Sequence, residues 1–468
     1  MNKISQLHSI FADRVIDGDD TAKAKYGRDQ VGHSKYWQTP QAVVFPENSG
    51  EVAALMRWAN ETGTPVTPRG AGSGLTGGAI PAADGVVCSF ERMNRILEID
   101  TDNLMVVVEP GVVTNELDAS LAEHGLFFAG YPMSEDICHI GGNVAENAGG
   151  GRAVKYGTTS TYVLGAEVVT PAGELMHLGG KRLKDVTGYN LLQLIVGSEG
   201  TLGLLVKLYI RVIPRPKARG VVFASFPDAP AAARTVAELK ARAGSALSAI
   251  EFVDGVTTRA TNESMPQKQR TELPAGADAY LLIELDASDN AELAAPLSTA
   301  AQIVAEESGN VFVSGSNAQA QENAWRLRKN IAWWVKRSAK EFHSLEDVVV
   351  PPAAVSELVE LVQRLRERYE IPIAMFGHAG DGNFHVTPMK SESMTPEDWE
   401  ETEHSLLEEL YRHVRTLGGT ISGEHGIGRK RGKYLHLVLD EPTITTMRAL
   451  KTALDPNNVL NPGVIFEP

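Results

Sequence analysis

Glycine placement constrains this chain more than any other feature. Of its 44 glycines, dense clusters fall at residues 70–78, 141–151, 197–203, 377–382 and 418–428. Glycine tolerates positive φ and lets backbone approach closely, but it costs conformational entropy wherever that freedom is not needed. Clusters spread over most of the length predict several loops converging on something large. No internal repeat or low-complexity tract offers another explanation.

Composition narrows the class. A chain of 468 residues has room for two or three domains of about 100–200 residues each. With 43% hydrophobic and 22% charged residues it reads as an ordinary soluble globular chain. Lys plus Arg number 44 against 59 Asp plus Glu, a net charge of −15, so there is no basic footprint for nucleic acid. Two cysteines, Cys88 and Cys138, cannot build a disulfide framework or ligate an iron–sulfur cluster. A reducing, cytoplasmic setting is expected. The start, MNKISQLHSIFADRVIDGDD, lacks the marks of a secretory or transit segment. No run approaches the roughly 18 apolar residues of a spanning helix, which leaves peripheral attachment at the inner membrane through a partner as the membrane option.

Periodicity gives the organisation. Residues 42–67 read as strand, helix, strand, with Ser49 the expected N-cap, Val52, Leu55, Met56 and Ala59 on one face, and Gly63 the stop. Strand-like runs follow at 85–90, 105–111, 165–175 (with a turn at Pro171–Gly173) and 202–214, with a helix at 114–125. After Pro214 and Pro216 strands (221–226, 280–285) alternate with helices (229–246, 289–308, 325–339, 353–370), the pattern of an α+β layer domain. The expected spans are 1–217, 218–417 and a C-terminal segment 418–468.

Gly72, Gly74 and Gly77 spell G-x-G-x-x-G. That motif marks a nicotinamide-type fold only when it opens a helix. Here GAIPAADGVVCSF follows, with Pro81, Gly85 and then a strand, which disfavours the dinucleotide-helix reading. The loop PRGAGSGLTGGAIP (68–81) instead offers consecutive backbone N–H groups with little side-chain bulk, a nest suited to pyrophosphate. HIGGNVAENAGGGRAVKYG (139–157) is rich in Gly, Ala and Asn, which lets a flat ligand lie against backbone, and LLQLIVGSEGTLGLL (191–205) places a small-residue turn between apolar runs.

FGHAGDGNFH (376–385) carries the sharpest chemical signal. His378 and His385 are seven apart, which on one ideal strand puts them on opposite faces, but a tight Gly380-Asp381-Gly382 turn between two strands brings them together. GEHG (423–426) adds a carboxylate and an imidazole. Two histidines and one carboxylate with open positions suit a catalytic zinc, iron or manganese ion.

These stretches, with RLKDVTGYNLLQLIVGSEGTLG, GEHGIGRKR and DPNNVLNPG, run in order from residue 68 to 463. Through them the chain resembles the FAD-linked D-2-hydroxyacid dehydrogenases, the branch of the vanillyl-alcohol-oxidase-type flavoproteins that holds D-lactate dehydrogenase, the glycolate oxidase flavin subunit and D-2-hydroxyglutarate dehydrogenase. The resemblance implies an α+β fold, in which a two-subdomain FAD-binding domain is joined to an α+β substrate (cap) domain with an antiparallel sheet. It implies that Arg69, Gly70, Ala71, Gly72, Ser73, Gly74, Leu75 and Thr76 wrap the FAD pyrophosphate. Gly141, Gly142, Asn143, Ala145 and Gly149 would line the flavin, Glu199, Gly200 and Gly203 its adenine or ribitol side, and Asn461 is a further cofactor residue. Some relatives tether flavin through a histidine in the first loop. None stands there, so noncovalent FAD is expected, with His139 the nearby imidazole to watch.

The same resemblance assigns one divalent metal, zinc foremost, to His378, His385 and Glu424, with Asn383 in support, and makes His425 the base. Arg328, beside Arg326 and Lys329, resembles the arginine that holds the substrate carboxylate through its forked donors. Hydroxyglutarate-selective relatives are expected to carry a threonine four residues on and a basic residue before the following proline. Ala332 and the acidic HSLEDVVVP (343–351) stand there, which leans toward a monocarboxylate such as D-lactate or glycolate. Asp185 and Tyr189 read as residues that pin their loop, and the resemblance also offers Lys184 and Tyr189 as substrate-cavity residues. The expected reaction is oxidation of a small D-2-hydroxy acid to the 2-oxo acid, with electrons leaving to a quinone, an electron-transfer flavoprotein, a cytochrome or an iron–sulfur subunit. A homodimer is left open. The alternatives are oxidation of another alcohol, a flavin electron-transfer subunit, and a zinc hydrolase with incidental glycine loops.

Overall fold

A computed structural model describes residues 3–467. Contacts group the chain into two units: 1–149, 158–215 and 424–468 in the first, 150–157 and 216–423 in the second. Against the expected spans, the C-terminal segment from 424 joins the first unit, and an eight-residue excursion at 150–157 joins the second.

In the first unit, the β-branched runs Ala42–Val44, Val86–Ser89 and Val66–Arg69 pair in parallel, and Val15–Ile16 pairs antiparallel at the edge. The first two runs are buried throughout, as expected of parallel strands covered on both faces. The helix Ser49–Thr62 packs Val52, Leu55, Met56 and Ala59 into this core. Its cap is Asn48, not Ser49: the Asn48 side chain accepts from the Glu51 amide, one residue upstream of the expected cap. Gly63 ends the helix at φ +62. A second sheet is antiparallel, in the order Ile96–Asp100, Met105–Val108, Leu204–Arg211, Val163–Val169, Leu175–Gly179. Val169 and Leu204 of this sheet share a core cluster with Val44, Val66 and Val86. The tail returns to the parallel sheet, where the Val66 amide donates to Val459 O and the Asn461 amide to Val66 O.

The second unit is built on one seven-stranded antiparallel sheet. Its order is Asn310–Gly315, Ala218–Phe226, Ala279–Ala287, Leu247–Asp254, Ile373–His378, Asn383–Pro388, Glu346–Val349. The helices Ala229–Arg242 and Asn290–Glu306 start on Asp228 and Asp289, whose carboxylates accept from first-turn amides. The excursion at 150–157 is anchored here by charge: Arg152 Nε donates to Glu284 Oε1 at 2.7 Å, and Lys155 and Tyr156 both reach Asp286.

Candidate active site

The strand Val66–Arg69 delivers the first glycine loop, and no helix follows before Val86–Ser89. The Arg69 side chain turns inward: it is buried, and its guanidinium donates to the carbonyls of Arg28 (2.9 Å), Ala79 (3.3 Å) and Lys25 (3.3 Å). The loop folds over that side chain so closely that a Cβ on Gly72 would lie 1.9 Å from Arg69 Nη2. The Arg69 charge is therefore an internal tie. Asp29, which the sequence did not single out, is a second tie: its carboxylate accepts from the Gly77 and Val31 amides, both at 2.9 Å. Burial pushes Asp29 up to about 6, against the pull of those amides and Arg69.

The second loop contains a helix, Ile140–Glu146, that glycine content had hidden. Its two glycines have different reasons. A Cβ on Gly141 would sit 2.5 Å from Pro110 Cβ, so Gly141 serves packing; a Cβ on Gly142 would meet nothing within 4 Å. Asn143 is buried and donates to Thr114 Oγ1 at 2.8 Å, and Ala145 O accepts from the Glu199 amide at 2.8 Å. Gly149 abuts Glu424, where a Cβ would lie 3.1 Å from Oε2.

Glu199, Gly200, Gly203 and Asn461 join loops to one another. Glu199 takes φ +51, and its carboxylate accepts from the amides of Ile427 (2.8 Å) and Gly428 (2.7 Å). Asn461 Nδ2 donates to Glu199 O (2.9 Å) and Gly78 O (3.1 Å). Gly200 and Gly203 leave room for Pro68 and Val168. Glu146 lies beside Glu199 beneath Gly426; burial first, then the negative charges of Glu199 and Asp29, push its carboxyl well above the usual range. Glu424 and His425 stand on the same stretch, with His425 Nε2 3.7 Å from Glu424 Oε1.

In the second unit the histidine hairpin forms as the spacing predicts. Ile373–His378 and Asn383–Pro388 pair so that His378 opposes Asn383 and Phe376 opposes His385. Partners across an antiparallel pair share a face, so crossing the turn reverses the parity and both imidazoles emerge together. Their ring centroids are 5.5 Å apart, T-shaped.

Each histidine meets a buried carboxylate that sequence reading did not propose. Glu251, on the neighbouring strand opposite His378, is hydrogen-bonded to His378 Nδ1 at 2.6 Å through Oε1 and forms an ion pair with Arg328, Oε2 lying 2.6 Å from Nε. Burial would raise this carboxyl, but the charges of His378 and Arg328 outweigh it and hold Glu251 down to about 2. Asp347 lies directly opposite His385, with Oδ1 3.7 Å from His385 Nδ1. It also accepts from Asn383 Nδ2 (2.8 Å), Ser422 Oγ (2.8 Å) and the Gly423 amide (2.9 Å). The available signals were faint: an acidic residue inside the apolar run AIEFV, and the acidic HSLEDVVVP.

Arg328 is buried on the helix Ala318–Ala339 and packs over Phe376, 5.1 Å from the ring centroid. Its Nη2 is buried with no hydrogen-bond partner among the described residues. Arg326 instead pairs with Glu322, Lys329 is exposed, and Ala332 is exposed one turn on. Lys184 and Tyr189, offered above as cavity residues, stand on the segment between Leu175–Gly179 and Leu191–Ile195. Both lie on an exposed loop, with Tyr189 96% exposed; Asp185 does pin that loop, accepting from Arg182 and the Thr187 amide.

Comparison with known proteins decides the family. Residues 40–179 match the FAD binding domain, and residues 215–465, more than half of the chain, match the C-terminal domain of FAD linked oxidases. The chain belongs to the FAD-linked oxidase family. This FAD-linked oxidase is 36% identical to glycolate oxidase subunit GlcD of Bacillus subtilis, over 98% of its own length and 96% of the relative's. It is also 36% identical to a D-lactate dehydrogenase of Archaeoglobus fulgidus, over 90% of each chain. Among solved structures, p-cresol methylhydroxylase superposes with a TM-score of 0.80 at 16% identity, over 99% of this chain and 96% of that one, which shows a shared fold. FAD is thus the cofactor, and the open space at Gly142 within glycine-lined backbone fits a flat ring system.

Proposed function

We propose that this FAD-linked oxidase dehydrogenates a small D-2-hydroxy acid to the 2-oxo acid, assisted by one divalent metal ion. The observation that carries the reading is the buried Arg328–Glu251–His378 chain beside His385. A guanidinium this deep, with Nη2 unpartnered among the described residues, suits an anion with paired oxygen acceptors, as the carboxylate of a hydroxy acid is. The names of the glycolate and D-lactate relatives support the same class.

In this reading Arg328 holds the substrate carboxylate. His378, His385 and Glu424 hold the metal; their chemistry suits zinc, with iron or manganese as alternatives. Glu251 fixes the His378 ring through Nδ1 and commits its Nε2 to the metal, the usual arrangement for a ligating histidine. FAD supplies the hydride acceptor and the ion supplies Lewis acidity that makes the hydroxyl proton easier to remove. His425 takes that proton. A quinone, a cytochrome, an electron-transfer flavoprotein or an iron–sulfur subunit would take the electrons on. No helix among the described residues is long and apolar enough to cross a membrane.

The test is anaerobic flavin bleaching by a panel of D- and L-2-hydroxy acids, with and without chelator, on the purified yellow protein. Bleaching by D-lactate or glycolate, lost on chelation and in a folded, yellow His378→Ala variant, is the expected outcome. Full activity of His378→Ala removes the metal step; bleaching by no hydroxy acid removes the substrate class.

A further inference from the structure

His139 has a job that packing leaves unfilled. Its side chain is buried, and Nδ1 has no hydrogen-bond partner among the described residues. Its carbonyl accepts from the Asn143 amide at 3.0 Å, and the residue bridges to Val113. A buried polar nitrogen left without a partner is destabilising, so one that persists in a rigid setting points to a group that arrives later.

The ring's surroundings say where that group lies. A Cβ built on Gly70 would be 3.4 Å from His139 Cβ, 3.7 Å from its Nδ1 and 3.8 Å from Gly142 Cα. Gly142 in turn opens onto space with nothing within 4 Å of its Cβ position. The first glycine loop, the open glycine of the second and the unpartnered imidazole nitrogen therefore border one place. Burial lowers the His139 pKa; Glu91 and Glu116 act in the opposite direction, and Arg69 adds to the lowering. The ring is neutral near pH 7, so it contributes a hydrogen bond and no charge.

We propose that His139 Nδ1 is a noncovalent hydrogen-bonding contact to the bound FAD. The proposal rests on the FAD assignment and adds a residue to it. Nδ1 donates or accepts according to the tautomer, and an asparagine amide reproduces that position while glutamine does not.

The test titrates FAD into apoprotein and reads flavin fluorescence, the visible absorption bands and the two-electron potential. His139→Leu should weaken FAD binding at least about tenfold and move the bands, for loss of one buried hydrogen bond. His139→Asn should recover most of the affinity and His139→Gln should not. In wild type, exchange of the His139 C2 proton, read by mass spectrometry, should slow severalfold on adding FAD; this arm needs no variant to fold. Unchanged affinity, bands and potential in all three variants overturn the proposal, as does an exchange rate indifferent to FAD. Flavin that stays on the polypeptide after acid precipitation overturns its noncovalent form. A wild-type protein that binds no FAD at all overturns the cofactor assignment instead, so the two failures are distinguishable.

Discussion

Gly141 and Gly142 are adjacent and chemically identical, yet the structure predicts opposite consequences for the same methyl group. Both sit in the helix Ile140–Glu146. Alanine in a helix is favoured over glycine by about 0.5–1 kcal/mol. At Gly142 nothing lies within 4 Å of the added carbon, so that gain meets no opposing clash, and apoprotein carrying Gly142→Ala should be as stable as wild type or up to about 1 kcal/mol more so. The same carbon stands in the space assigned to the flavin. Displacing a flat ring by one methyl costs about 1–3 kcal/mol on the scale of overpacking, or roughly 5- to 150-fold in FAD affinity. At Gly141 the carbon would meet Pro110 Cβ at 2.5 Å and Pro110 O at 2.9 Å, so Gly141→Ala should destabilise the apoprotein itself by about 1–3 kcal/mol. Urea denaturation of apoprotein followed by circular dichroism, alongside FAD titration by fluorescence quenching, separates the two. Wild-type FAD affinity in Gly142→Ala would refute the placement of the flavin against this backbone, and a destabilised Gly142→Ala apoprotein would refute the reading of the local packing.

Other expectations follow from individual contacts. Glu251→Gln leaves Arg328 buried without its counter-charge and should destabilise the protein by about 3–5 kcal/mol; bound metal, measured by elemental analysis, should fall with it, and normal metal content would sever Glu251 from the histidine. Asp29 binds its proton more tightly folded (about 6) than unfolded (ordinary value 3.8), so its contribution to stability is present below about pH 4 and fades as pH rises through 6. Relative to Asp29→Asn, wild type should lose up to about 3 kcal/mol between pH 4 and 7, and a pH-independent difference would contradict the burial argument. Tyr189→Ala, on the exposed loop, should change kcat/KM for the best hydroxy acid less than about twofold, and a large loss would return Tyr189 to the substrate cavity.

Local chemistry was legible in the linear chain. Strand and helix periods set the helix Ser49–Thr62 and its apolar face, Pro81 and Gly85 ruled out a helix after the first glycine loop, and the Gly380-Asp381-Gly382 turn implied that His378 and His385 meet. Such features depend on residues within a few positions of one another, where backbone sterics and side-chain alternation dominate. Tertiary structure alone decided what those residues touch. Glu251 reaches His378 across 127 positions because sheet order makes their strands neighbours. Asp29 braces Gly77 across 48 positions, and Arg69 donates to the Arg28 carbonyl across 41. Pairing of this kind is settled by which charges share a desolvated interior, where an uncompensated group is costly and a partner outweighs local preference. For the same reason the motif bearing Lys184 and Tyr189 said nothing about its exposure: residues with few buried contacts are placed by the surface around them, not by their own sequence.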